Sequence, residues 1–156
     1  MKIKLISVGT RMPKWVQEGI AEYQKRMEKD LGFSIVEVPM AKRSKTQSIA
    51  RCIEKETAAL LAQLQKSDFV VSLDVHGKAF DTATLARRIG NLRLDGLNLS
   101  LLVGGPDGLG DECLVRANES WSLSALTLPH PLVRVLLTEQ LYRASSILKG
   151  HPYHRE

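Results

Sequence analysis

The sequence predicts an α/β fold, a mostly parallel sheet flanked by helices, in a single domain spanning residues 1–156. Two observations carry that prediction. Strand-like and helix-like patterns alternate almost strictly along the chain, with short connections, which is the order that builds a parallel sheet through helical crossovers. In addition, no linker, composition break, repeat or low-complexity tract divides the chain. At 156 residues there is enough chain for one real core.

Residues 2–8 alternate, with Ile3 and Leu5 on one face, and read as the first strand. Gly9 and Pro13 bracket the turn after it. Trp15, Val16, Gly19, Ile20, Tyr23 and Met27 then recur at helical spacing, with Lys25, Arg26 and Lys29 on the wet side. Gly32 ends that helix, and residues 33–38 form a second strand before Pro39. Residues 41–48 are polar and basic without apolar periodicity, and read as a mobile loop. Lys42, Arg43 and Lys45 suit phosphate there, and suit a solvated loop equally well. Residues 49–64 return to a helical pattern through Ile49, Ile53, Leu60, Leu61 and Leu64.

Residues 69–73 are a nearly continuous apolar strand, and 74–78 turn the chain. Asp81 or Thr82 caps a helix carrying Leu85, Ala86, Ile89 and Leu92. After Asp95-Gly96, residues 97–103 form another strand, which stops at Gly104-Gly105-Pro106-Asp107-Gly108. That density of glycine signals backbone conformations or close approaches that a side chain forbids. Asp111 opens a short helix as its N-cap. Residues 123–128 read as a short apolar strand, halted by Pro129-His130-Pro131. An amphipathic helix follows on Leu132, Val133, Leu136, Leu137, Leu141, Ala144, Ile147 and Leu148, with Arg134, Glu139 and Arg143 on its other side.

Two strand ends and two restricted turns therefore lie close in sequence. Ligands of open parallel sheets bind outside the carboxyl ends of strands, so these turns are the best walls for a pocket. Ordinary strand-to-helix connections satisfy the same pattern. The glycine turn matches neither G-x-x-x-x-G-K-[ST] nor G-x-G-x-x-G, which excludes the P-loop and the Rossmann fingerprint.

Lys and Arg number 22 against 17 Asp and Glu, a net +5 that suits an anionic partner such as RNA. Residues 1–8 are too short for a secretory core and are interrupted by Lys2 and Lys4, and no run is long enough to span a bilayer. Cys52 and Cys113 stand far apart and build no disulfide framework, which points to a reducing cytoplasm.

GGPDGLG, then SWSLSALTLPHPLVRVLLTEQLYRA, then the terminal HPYHRE closely resemble the ribosomal large-subunit methyltransferase H family, small members of the SPOUT superfamily. VGTRMPKWVQEGIAEYQKR, AKRSK and LDVHGKAFDT are similar to the same family, so the resemblance covers essentially the whole chain. It implies an S-adenosylmethionine-dependent enzyme that methylates N3 of a pseudouridine in 23S rRNA, within the assembled ribosome. It further implies a homodimer, no metal, and a deep trefoil knot in the C-terminal part, against the general rule that chains do not thread their loops.

For the methyl donor, the resemblance points to Leu73, to Gly104 and Gly105, and to Leu123, Ser124, Ala125, Leu126, Thr127 and Leu128. Apolar side chains there would sandwich a flat ring while backbone groups read its edge. Leu73 and Leu126 serve equally as core residues. For the substrate, it favours a C-terminal tail lying over the active site. Within that picture His154 assists proton removal from N3, Tyr153 stacks on or orients the base, and Arg155 stabilises an anionic base or a phosphate. Arg143 and Arg134 line the same pocket, or are surface charges paired with Glu139. His151 and His154 lack a third ligand for a metal. His76 and His130 are turn or rim residues. Two other readings fit the basic loop and tail: a ribosome-associated binder without catalysis, and a related enzyme acting on tRNA ribose.

Overall fold

The structure is a computed structural model and describes residues 1–27 and 29–155. Among the described residues five strands and five helices alternate: β1 (Lys2–Val8), α1 (Lys14–Met27), β2 (Gly32–Val38), α2 (Ile49–Leu61), β3 (Phe69–Ala79), α3 (Thr82–Leu94), β4 (Leu99–Val103), α4 (Asp111–Arg116), β5 (Glu119–Ser122) and α5 (His130–Leu148). A short 3-10 turn, Pro152–Arg155, follows. The strands form one sheet in the order β2-β1-β4-β3-β5. Every pairing between neighbouring strands is parallel.

The alternation of side chains along each strand sorts the core into two layers. Ile3 and Leu5 of β1, and Leu99, Leu101 and Val103 of β4, face Ile89 and Leu92 of α3 and Leu137 and Leu141 of α5. Ile6, Val8 and Leu102 face the opposite way, toward Leu60 of α2 and Cys113 of α4. Covering both faces with helices explains why β4 reads as an unbroken apolar run. Its one polar member, Ser100, is buried and donates to Asp68 at 2.9 Å. Asp68 also takes Lys4 at 3.1 Å. Burial alone would raise this carboxyl, but hydrogen bonds from Gln65, Ser100 and Lys4 outweigh it and hold it below its ordinary value.

Several local readings differ from the structure. Residues 123–128 are not a strand; the sheet instead takes the preceding Glu119–Ser122. Trp121 and Ser122 are buried there, whereas Leu126 is 73% exposed. The segment after Ser122 uses its own side chains to bend: the Ser122 hydroxyl donates to the Ser124 carbonyl and Ser124 Oγ accepts the Leu126 N–H. Such bonds compete with a strand ladder. Asp111 is the first residue of α4, and Gly110 is the cap. Finally, β3 does not stop at Leu73. It pairs with β5 through Leu73, loops out, and pairs again from Lys78. Gly77 permits this, since a Cβ there would lie 2.7 Å from the backbone of Ser120 and Trp121.

Candidate functional site

The carboxyl ends of β4, β3 and β5 lie side by side, and the segments leaving them wall a cavity of about 290 Å³. That is close to the size of small-ligand sites, and it stands where parallel sheets hold ligands. Leu73, Gly104, Gly105, Leu123, Ser124, Leu126, Thr127 and Leu128 all line it, and Ala125 does not. Asp74 and Val75 continue the wall begun by Leu73, and His130 and Val133 of α5 complete it. Sequence reasoning left His130 at the rim; its place at the first turn of α5, directly after the third wall, was the available signal.

The glycine turn owes its shape to the absence of side chains. A Cβ on Gly104 would come within 2.5 Å of the Gly108 carbonyl carbon. Gly108 adopts φ +83°, and its N–H returns to the Gly105 carbonyl at 3.1 Å. The result is a backbone cradle at the end of β4, open to the cavity. Leu73, Leu126 and Leu128 offer apolar faces to this cavity, and Gly104 and Gly105 allow close backbone approach, a lining that could hold a flat ring.

Residues 41–48, read from sequence as a mobile loop, are tied down. Arg43 bonds Glu56 of α2 and donates to Asp107 of the glycine turn at 2.8 Å. These two partners, Glu56 first, hold the guanidinium well above its ordinary value. The Ala41 N–H donates to Glu56 at 3.0 Å, and Ser44 and Gln47 bridge each other. Glu56 supplies the physical reason: a carboxylate that is 2% exposed requires partners.

Arg134 also departs from expectation. It is not on the wet face of α5 but is 1% exposed. Its guanidinium donates to the carbonyls of Val8 at 3.0 Å and Gly9 at 2.7 Å, and pairs with Glu37 at 2.6 Å. It lines a separate cavity of about 310 Å³ beside α1 and β2, not the one described above. The neighbouring His130 has a buried Nδ1 with no hydrogen-bond partner among the described residues. Burial, and then the Arg134 charge, push this imidazole below its ordinary value.

The C-terminal arm folds back on α5. The His151 N–H donates to the Ser146 carbonyl at 2.8 Å. The Tyr153 ring lies 4.5 Å from that of Tyr142, its hydroxyl donates to Glu139 at 3.2 Å, and the Arg143 guanidinium stands 4.9 Å from its centre. Arg143 also pairs with Glu139 at 2.7 Å, as its spacing suggests. Burial and the nearby Glu139 charge push the Tyr153 phenol up to about 12, so it remains a donor at neutral pH. The Nδ1 of His154 is buried without a partner among the described residues, and Arg155 is exposed. Arg143, Tyr153, His154 and Arg155 thus gather around one stretch of α5, and none of them lines the cavity. Glu139 lies nine residues beyond His130, about two and a half helical turns, and so on the opposite side of α5. Among the described residues, no group of three or more His, Cys, Asp and Glu is placed to hold a metal ion, and no helix is long and apolar enough to cross a membrane.

Comparison with known proteins shows the family. Residues 1–154 match the family described as "Predicted SPOUT methyltransferase". A protein of Saccharophagus degradans named "Ribosomal RNA large subunit methyltransferase H" is 53% identical over 99% of this chain and 100% of its own length. The fold is similar to that of a probable methyltransferase from Bordetella pertussis, with TM-score 0.60 and 15% identity over 92% of this chain and 93% of the other. It is also similar to that of a probable methylase family protein from Haemophilus influenzae, with TM-score 0.53 and 12% identity over 97% of this chain and 69% of the other. With three adjacent strand ends walling one cavity and a family match over nearly the entire chain, this protein belongs to the SPOUT methyltransferase family.

Proposed function

We propose that this protein is a cytoplasmic methyltransferase that moves a methyl group from S-adenosylmethionine to N3 of a pseudouridine in 23S rRNA of the assembled ribosome. The observation that carries the substrate is the 53% identity to the Saccharophagus degradans protein along its whole length. The cavity supports the donor. S-adenosylmethionine, when bound, supplies an electrophilic methyl group on a sulfonium. Leu73, Leu126 and Leu128 exclude water from its adenosyl part, and the glycine turn admits it by backbone contact. N3 of pseudouridine carries a proton that must leave before the nitrogen can attack. In this reading His154 accepts that proton, Tyr153 orients the base, and Arg155 and Arg143 offset the negative charge that develops.

The arm must then meet a cavity that it does not line in its own chain. A homodimer resolves this by bringing the arm of one copy to the cavity of the other. Trp15 on α1 is 54% exposed and Leu136 on α5 is 37% exposed. The two helices pack together at Gly19 and Val135, and exposed apolar side chains on this helix pair suit a second copy. The reading also holds residues 1–156 to be a single domain with a trefoil knot in its C-terminal part.

The deciding experiment treats purified ribosomes with methyl-labelled donor and maps the modified atom by mass spectrometry. Label on N3 of one 23S pseudouridine is expected, and equal activity on naked rRNA would remove the ribosome from the reading. Calorimetry showing no donor binding would leave a ribosome-associated binder, and label on tRNA ribose a different enzyme. Deleting residues 152–156 is expected to cut methylation at least ~100-fold, because the arm carries the groups that this reading gives to the base. His154→Ala assayed in single turnover separates the proton acceptor from the rest of the arm.

His130 makes a prediction about pH. A histidine whose value is lowered stays neutral above that value and gains charge only below it. Donor affinity is therefore expected to stay level as pH falls through about 6.5, the ordinary histidine value. It weakens only at lower pH, when an imidazolium would share the cavity with a sulfonium. Calorimetry across pH on the wild type and His130→Asn checks this, and the variant should lose the acidic fall.

A further inference from the structure

Arg43 of the basic segment 41–48 and Asp107 of the glycine turn are 64 residues apart in sequence, yet one side chain joins the two segments. Arg43 binds Glu56 through both terminal nitrogens. It reaches Asp107 through Nη2 at 2.8 Å and Nε at 3.2 Å. Nη1 also donates back to the Ala41 carbonyl at 2.8 Å, which shapes the segment itself. Beneath the turn, Glu56 is in near contact: a Cβ on Gly105 would stand 3.1 Å from Glu56 Oε1. Gly105, Pro106 and Gly108 line the donor cavity, so a single planar fork ties the turn that shapes the cavity to a buried carboxylate and to the basic segment. A guanidinium can hold two carboxylates in fixed geometry, whereas an ammonium is a single point charge. Lys42 and Lys45 flank Arg43 and are exposed.

We propose that Arg43 is a positioning residue that couples the two binding sites of this enzyme: through Asp107 and Glu56 it holds the donor-binding turn in shape, so that donor in the cavity further steadies the segment presenting Lys42 and Lys45 to RNA. Linkage makes the effect reciprocal, and RNA on that segment tightens donor binding by the same factor. The proposal rests on the donor and RNA reading above. It adds a residue that touches neither ligand and a dependence of each site on the other.

Asp107→Ala cuts the link on the side of the turn and leaves Glu56 its partner, so the fold is retained; thermal unfolding verifies this. Arg43→Lys keeps the charge and removes the fork. Calorimetry with S-adenosylmethionine, without ribosomes, is expected to show affinity reduced on the order of tenfold in both variants. Limited trypsin digestion supplies a readout that a purely structural role does not move. Donor should slow cleavage after Lys42 and Lys45 in the wild type and have no such effect in Asp107→Ala. Wild-type affinity in both variants, or cleavage of the wild type indifferent to donor, overturns the proposal. Failure of the wild type itself to bind donor defeats the underlying functional reading, and the proposal with it.

Discussion

Gly104→Ala is expected to abolish donor binding while the sheet stays folded. The added methyl would sit 2.5 Å from the Gly108 carbonyl carbon and 2.8 Å from the Gly108 oxygen and the Leu109 nitrogen. All three are backbone atoms, so no side chain can rotate away. Relief requires opening the turn, which breaks the 3.1 Å bond from the Gly108 N–H to the Gly105 carbonyl and removes the cradle from the cavity. β4 ends at Val103, before this position, so its pairings with β1 and β3 survive. A destabilisation of about 1–3 kcal/mol is expected, in the range of overpacked sites. Donor affinity should fall at least ~100-fold, nearly 3 kcal/mol at about 1.4 kcal/mol per tenfold. Calorimetry and urea unfolding measure the two effects on one sample. Affinity within threefold of wild type would show that the turn does not shape the donor site.

Arg134→Ala is expected to have the largest effect on stability, about 3–5 kcal/mol. Three partners lose their donor together: the carbonyls of Val8 and Gly9 and the carboxylate of Glu37. Glu37 is half exposed and can turn to water, but the two carbonyls are bonded inside the protein, where an unmet acceptor is costly. Arg134→Met restores most of the volume without the donors, so it separates packing from hydrogen bonding. If the bonds dominate, both variants unfold at similarly reduced urea concentrations with unchanged slope. If packing dominates, Met recovers most of the loss. Either variant also removes a positive charge beside His130, so the His130 titration should move up toward its ordinary value. A histidine-resolved NMR titration measures that shift.

Arg134 also shows why part of this molecule was harder to read than the rest. It lies three residues before Leu137 and seven before Leu141, a spacing that puts it on the buried stripe of α5. Residue type argued for solvent, and periodicity argued for the core. Periodicity prevailed because the end of β1 presents two carbonyls that need a donor. The segment 123–128 is the reverse case. Its apolar content suggested a strand, yet Leu126 stands open to solvent. The arm was legible as a cluster of functional residue types, but its place against Tyr142 and Glu139 was not. Arg43 was legible as one cation among three, and its two carboxylate partners come from segments far along the chain.

Pattern and turn chemistry in the sequence alone determined the alternation of strands and helices, the class of sheet and the glycine turn, because each is signalled by neighbours within a few positions. Only the tertiary structure decided that three turns share one cavity, that the terminal arm lies on the far side of α5, and that Arg43 and Arg134 are held by carboxylates and carbonyls distant in the chain. Those outcomes follow from strand order and burial, which arise when segments remote in sequence must satisfy one another's polar groups away from water.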